Sequence, residues 1–268
     1  IAIIREQIDA LPPEQPCLFN VVVNLKPVIV FTQAVLAEYG GATTLAASTF
    51  AETLPLALER DNRYIYHLGR SHLAGVQIAL GQLRTALKTC EEGLAEDAPL
   101  SDSPYLSLLH AQSGILHYEW NNLPAAREHF EAGLELAHLW NVWESRIPLT
   151  FGMARLCMRD GDIKGALSLM EELAANPIES YTLAIQAFTG LLQVLDGNQA
   201  EPVAWLEDKM SGNLLEPVPA SESALLDIAR LLIMLRRYEQ AVSLLEKVSS
   251  SVRAGERMRI YIQARVIL

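Results

Sequence analysis

The residues with the most chemical potential in this 268-residue chain are charged or aromatic side chains set inside apolar runs. Arg155 stands in Phe151-Gly152-Met153-Ala154-Arg155-Leu156-Cys157-Met158, and Arg230 in Ala229-Arg230-Leu231-Leu232-Ile233-Met234. A guanidinium in such surroundings either pairs with a carboxylate or faces a cavity where it can hold a ligand. With Phe31, Tyr118, Phe151 and the acidic Glu38, these arginines form a set able to hold a sugar, an aromatic acid or a peptide. The competing reading for Phe31 and Phe151 is packing between neighbouring helices.

Other reactive residue types point to no reaction. The chain contains no glycine-rich phosphate loop, no dinucleotide fingerprint, no nucleophile elbow and no paired-histidine zinc motif. Glu91-Glu92 and Glu171-Glu172 recur at equivalent places, which marks a solvated helix face rather than an acid–base dyad. His110 and His117 lie seven residues apart on one helix, about 10.5 Å along its axis, too far to share an ion without a third element between them. Cys17, Cys90 and Cys157 are isolated, and the last two fall on inward positions; small core residues in a reducing, cytoplasmic compartment are expected. No catalytic residue and no metal site is expected, and the chain does not read as an enzyme.

A repeat positions these residues. Ala46, Ala86, Ala126 and Ala166 are each 40 residues apart. Four residues after each comes Phe50, Cys90, Phe130 or Met170; five residues before each comes Gly41, Gly81, Asn121 or Gly161. A turn residue, then a small residue, then a bulky apolar one a helical turn later describes the second helix of a helical hairpin. The pattern continues through Asp196-Gly197-Asn198 and through Arg236-Arg237-Tyr238 with Ala241 and Leu245, although Pro202 takes the alanine place in the fifth unit, near a helix start.

Half of the residues are apolar at a spacing of three to four, and Val21-Val22-Val23 is the only tempting strand. The expected fold is therefore all-α: a right-handed α-α superhelix of tetratricopeptide-like (TPR-like) hairpins. It is read as one repeat domain over residues 1–268, with hairpin turns near 40, 81, 121, 161, 197 and 237. First helices are expected over roughly 27–40, 64–80, 104–120, 147–160, 180–196 and 222–236, which places Pro27 and Pro148 in first turns.

A net charge of −11, with no basic run denser than Arg253, Arg257 and Arg259, argues against direct nucleic-acid binding. Arg253 and Arg257, one helical turn apart, read as a solvated face or a local anion contact. No run approaches the roughly 18 apolar residues of a membrane span, so no membrane partner is expected. The start at Ile1 and the apolar last helix suggest a piece of a longer chain.

Residues 64–86 and the run Tyr118-Glu119-Trp120-Asn121-Asn122-Leu123-Pro124-Ala125-Ala126-Arg127-Glu128-His129-Phe130-Glu131-Ala132-Gly133-Leu134-Glu135-Leu136-Ala137 carry a family likeness, continued by Arg159-Asp160-Gly161-Asp162-Ile163-Lys164-Gly165-Ala166-Leu167. The chain resembles the TPR-like array of MalT-type, LuxR-family, ATP-dependent transcriptional regulators. The resemblance implies an effector-sensing and self-association segment. No cofactor is expected in this fragment; the parent's ATP and DNA would bind elsewhere. The implied partners are a small-molecule inducer or a regulatory protein. Trp120 reads as a structural anchor of its hairpin. The alternative is a generic TPR adaptor for partner peptides, but a carboxylate clamp is missing: the corresponding first-helix sites read Phe31, Ser71, Ala111, Phe151 and Val35, Gly75, Ile115, Arg155.

Overall fold

The computed structural model describes residues 25–59, 62–96, 105–175, 179–211 and 215–268. Cys17 and Val21-Val22-Val23 lie outside the described residues. The described residues form an all-α superhelix of TPR-like hairpins: α1 (Leu25–Tyr39) with α2 (Thr43–Glu59), α3 (Arg63–Ala79) with α4 (Leu83–Glu96), α5 (Leu106–Glu119) with α6 (Leu123–Leu139), α7 (Trp143–Arg159) with α8 (Ile163–Ala175), α9 (Thr182–Leu195) with α10 (Ala200–Ser211), and α11 (Glu222–Met234) with α12 (Tyr238–Ala254). A last helix, α13 (Met258–Ile267), follows.

One local device closes every hairpin. At Gly41 the chain turns left-handed (φ 76°), its N–H bonds to Glu38 O (3.0 Å), and the N–H of Ala42 reaches back to Ala37 O (2.9 Å). This pair of bonds caps the last carbonyls of a helix and needs a positive φ, which glycine adopts without strain. The same pair recurs at Gly81, Asn121, Gly161, Gly197 and Arg236, the positions where the repeat places its turns. It also appears at Asn141 and, directly after Gly255, at Glu256, two places where the repeat puts no turn.

The repeat positions interlock as their sizes demand. Ala46, Ala86, Ala126 and Ala166 are wholly buried, as are Phe50, Cys90 and Met170, with Phe130 1% exposed. Alanine lets the paired helices approach, and the larger residue four positions on fills the space beside the contact. In the fifth unit Pro202 is buried in the alanine place within the first turn of α10, where its missing N–H leaves no bond unmade, and Leu206 takes the bulky role.

Three details differ from the sequence reading. α7 begins at Trp143, four residues early, because the tight turn at Asn141 starts it at once; Pro148 therefore sits in its second turn. Cys157 is only partly buried, unlike Cys90. Arg253 and Arg257 do not share a helix, since the Glu256 turn separates them; Arg253 is exposed, whereas Arg257 is 8% exposed.

Arg257 belongs to the long-range feature that shapes the whole array. After six hairpins the chain comes round onto its own beginning: Thr43 Oγ1 donates to Gly255 O (2.8 Å), Thr44 meets Glu256, and Arg257 Nη1 reaches Gly41 O (3.3 Å). α13 packs against α3, α11 and α12, and its Arg259 and Gln263 reach Glu119 at the end of α5.

Candidate ligand-binding site

Residues of the first helices α5, α7, α9 and α11 line a common surface, and α13 borders it. Between them lies a cavity of about 370 Å³, within the roughly 300–1,000 Å³ of ordinary small-molecule sites. Tyr118, Phe151, Arg155 and Arg230, from α5, α7 and α11, all border it. Phe31 does not. It packs in the first two hairpins, its ring 5.7 Å from Phe50 and 5.5 Å from His72, while Glu38 Oε2 bonds to His72 Nδ1 (2.9 Å). Phe31 and Glu38 therefore support the α1–α3 packing and stand apart from the other four residues.

Each arginine has found a carboxylate, and it is the same one. Asp227, 2% exposed, accepts from Arg155 Nη2 through Oδ2 and from Arg230 Nη1 through Oδ1, both at 2.7 Å. Arg155 also lies 4.6 Å from the centre of the Phe188 ring, which is tilted against that of Phe151 at 5.9 Å. Burial, the largest influence on Arg155, favours loss of its charge; the charge and hydrogen bond of Asp227, then Tyr118 and Glu119, outweigh it and hold its pKa above the ordinary arginine value. On the opposite wall Glu119 Oε1 accepts from Arg259 Nε (2.9 Å), Arg259 Nη2 (2.7 Å) and Gln263 Nε2 (3.0 Å).

Asp227, Glu119, Arg259 and Gln263 are cavity residues that the sequence reading missed. Asp227 carries the same signal as its partner, a charge inside Leu225-Leu226-Asp227-Ile228-Ala229, three residues before Arg230 on one helix face. Glu119 and Arg259 are 140 positions apart, and no local pattern joins them. Trp120, expected to anchor its hairpin, is 41% exposed and meets the His117 ring edge-on, 6.2 Å away; its neighbour Glu119 bonds to Arg259 and Gln263 of α13.

The third element missing between His110 and His117 is supplied by α6. His129 Nδ1 lies 3.1 Å from His110 Nδ1, and its ring stacks on His117 at 5.3 Å. Burial, then the charge of His129, lowers the His110 pKa from 6.5 to about 4; His129 is also lowered, by burial and then by His117, against an opposing pull from Glu128. Their neutral forms are thus favoured in the fold. As the pH falls below 6.5 the unfolded chain takes up protons that the native state refuses, so stability is full above that pH and declines toward pH 4. His110 alone is expected to contribute on the order of 2–3 kcal/mol of that loss. Urea midpoints at pH 7.5 and 4.5 test this, with His110→Gln expected to show the flatter dependence.

Compared with known proteins, the chain matches the family profile described as the MalT-like TPR region over residues 22–268. The chain belongs to the MalT-like TPR region family. Among solved structures, this MalT-like TPR region resembles the TPR-like repeats of a putative kinesin light chain from Podosopora anserina (18% identity, 85% of this chain and 94% of that one, TM-score 0.44). It also resembles a tetratricopeptide repeat protein from Parabacteroides merdae (13% identity, 89% and 98%, TM-score 0.39) and yeast Tom70 (13%, 99% and 71%, TM-score 0.38). No curated protein matches it significantly. Among the described residues no helix is long and apolar enough to cross a membrane.

Proposed function

We propose that this MalT-like TPR region is the effector-sensing and self-association segment of a LuxR-family transcriptional regulator in the cytoplasm, with the ATP- and DNA-binding parts of the parent outside residues 1–268. The observation that carries the reading is the cavity on the concave face, where Tyr118, Phe151, Arg155 and Arg230 come together from separate hairpins and α13 closes one side. A ligand seated there touches α5, α7, α11 and α13 at once. It can therefore favour one setting of the superhelix over another, as any effector must if it is to shift an equilibrium. The adaptor reading fits less well, because Arg259, Ile260 and Gln263 of α13 wall off one side of the cavity, which suits a small ligand better than an extended peptide.

A thermal-shift screen of the chain against sugars, phosphorylated metabolites, amino acids and aromatic acids tests this, repeated with Phe151→Ala. The expected result is a compound class that raises the midpoint of the wild type and not of the variant, since only a ligand preferring the folded state does so. A panel without any such compound would overturn the small-molecule form of the reading and favour a regulatory protein as effector.

A further inference from the structure

The charges around the cavity say what kind of effector it suits. Among the described residues the wall holds three guanidiniums, Arg155, Arg230 and Arg259, against two carboxylates, Asp227 and Glu119. One positive charge is left over, in a chain whose net charge is −11. The excess sits on the Asp227 side, where one carboxylate, 2% exposed, serves two arginines. Arg230, 35% exposed, borders the cavity and gives only Nη1 to Asp227 among the described residues, which leaves the other donors of its fork for a ligand. Around these charges lie Ile115, Phe151, Ala184, Leu226 and Ile260.

We propose that the cavity takes a small organic carboxylate with an apolar or aromatic body, its anionic head on Arg230 and Arg155 and its body against Phe151 and Ile115. The proposal rests on the sensor reading above and names the class of effector. A carboxylate matches a guanidinium fork in plane and brings the single negative charge that balances the wall. A doubly charged phosphate overshoots that balance. A sugar carries no charge and leaves the surplus positive charge of the wall unbalanced. Binding in a site of low dielectric strengthens the head-group contact and lets the apolar wall take the rest of the ligand.

The probes are 3-phenylpropanoate and decanoate, their uncharged amides, phenyl phosphate and maltose, each titrated calorimetrically into the chain at constant ionic strength. The carboxylates are expected to bind at least tenfold more tightly than their amides. Arg230→Gln is expected to abolish that preference and Arg230→Lys to retain part of it, both folding as the wild type does because Arg155 still neutralises Asp227. Amides binding as well as acids, phenyl phosphate binding more tightly than either carboxylate, or acid binding unchanged in Arg230→Gln would each overturn the anion proposal. If in any of those cases Phe151→Ala still abolishes binding, the cavity survives as the effector site with another ligand class. If none of the acids, amides, phosphate or sugar binds, the anion proposal falls, and the broader metabolite screen then decides whether the sensor reading falls with it.

Discussion

Replacing Arg257 by alanine is expected to destabilise the chain by about 3–5 kcal/mol, the usual cost of stranding one partner of a buried ion pair. Arg257 and Glu222 have side chains only 10% and 2% exposed, and the guanidinium gives Nε to both carboxylate oxygens (2.9 and 2.8 Å) and Nη2 to Oε1 (2.6 Å). It also fills the space a side chain at Gly255 would need, 1.7 Å from its Nη1, and touches Gly41 O at the far end of the array. Losing it leaves the Glu222 carboxylate desolvated without its partner at the start of α11 and removes one of the bonds that tie the last turn to the first. Guanidinium chloride unfolding gives the magnitude. Solution scattering should show a larger radius of gyration if the closure opens. Adding Glu222→Leu to the variant should recover much of the loss, because the orphaned charge then disappears. A loss below about 1 kcal/mol would mean that the pair behaves as a solvated surface contact.

The second large effect centres on Phe130. Its ring is slotted between α5 and α7 at the two places where glycine leaves room: a methyl group at Gly114 would stand 2.3 Å from Cε1, and one at Gly152 2.4 Å from Cζ. Phe130→Ala should therefore cost about 3–5 kcal/mol, since the helices on either side cannot collapse onto the vacated ring volume without moving whole hairpins. Gly152→Ala should cost about 1–3 kcal/mol by overpacking. The two sites share one volume, so Gly152→Ala should be at least 1 kcal/mol cheaper on a Phe130→Leu background than in the wild type. Additive losses in that double-mutant cycle would show that the ring moves aside instead of being clamped. Phe130 and Gly152 also border the cavity, which makes the packing of the third hairpin part of the binding wall.

Much of this was legible in the residues. The turn–alanine–bulky pattern located the second helix of each hairpin. The capping bonds at Gly41, Gly81, Asn121, Gly161, Gly197 and Arg236 fall where that pattern puts them. Three to five residues set each such turn, so its cause lies within reach of local sequence. Asn141 and Glu256 fall outside the repeat's turn positions and so escaped that pattern, although Asn141 is the residue type of Asn121 and Gly255 precedes Glu256; asparagine visits the left-handed region at modest cost, and glutamate adopts it only because the bonds around it compensate.

Tyr118, Phe151, Arg155 and Arg230 could be singled out by residue type, as polar or aromatic side chains on faces that a superhelix turns inward. Nothing in their spacing says that Phe31 stays apart, that Asp227 serves two arginines, one of them 72 positions away, or that Arg259 meets Glu119. The sequence by itself determined the hairpins, their pairing and the identity of the residues buried between them, since each depends on contacts within one or two repeats. Only the tertiary structure decided that the last turn meets the first, that α13 borders the cavity and that the cavity wall holds one surplus positive charge. The rotation from each hairpin to the next is small and is set by many weak packing contacts, and it must be summed over six of them before the last turn meets the first.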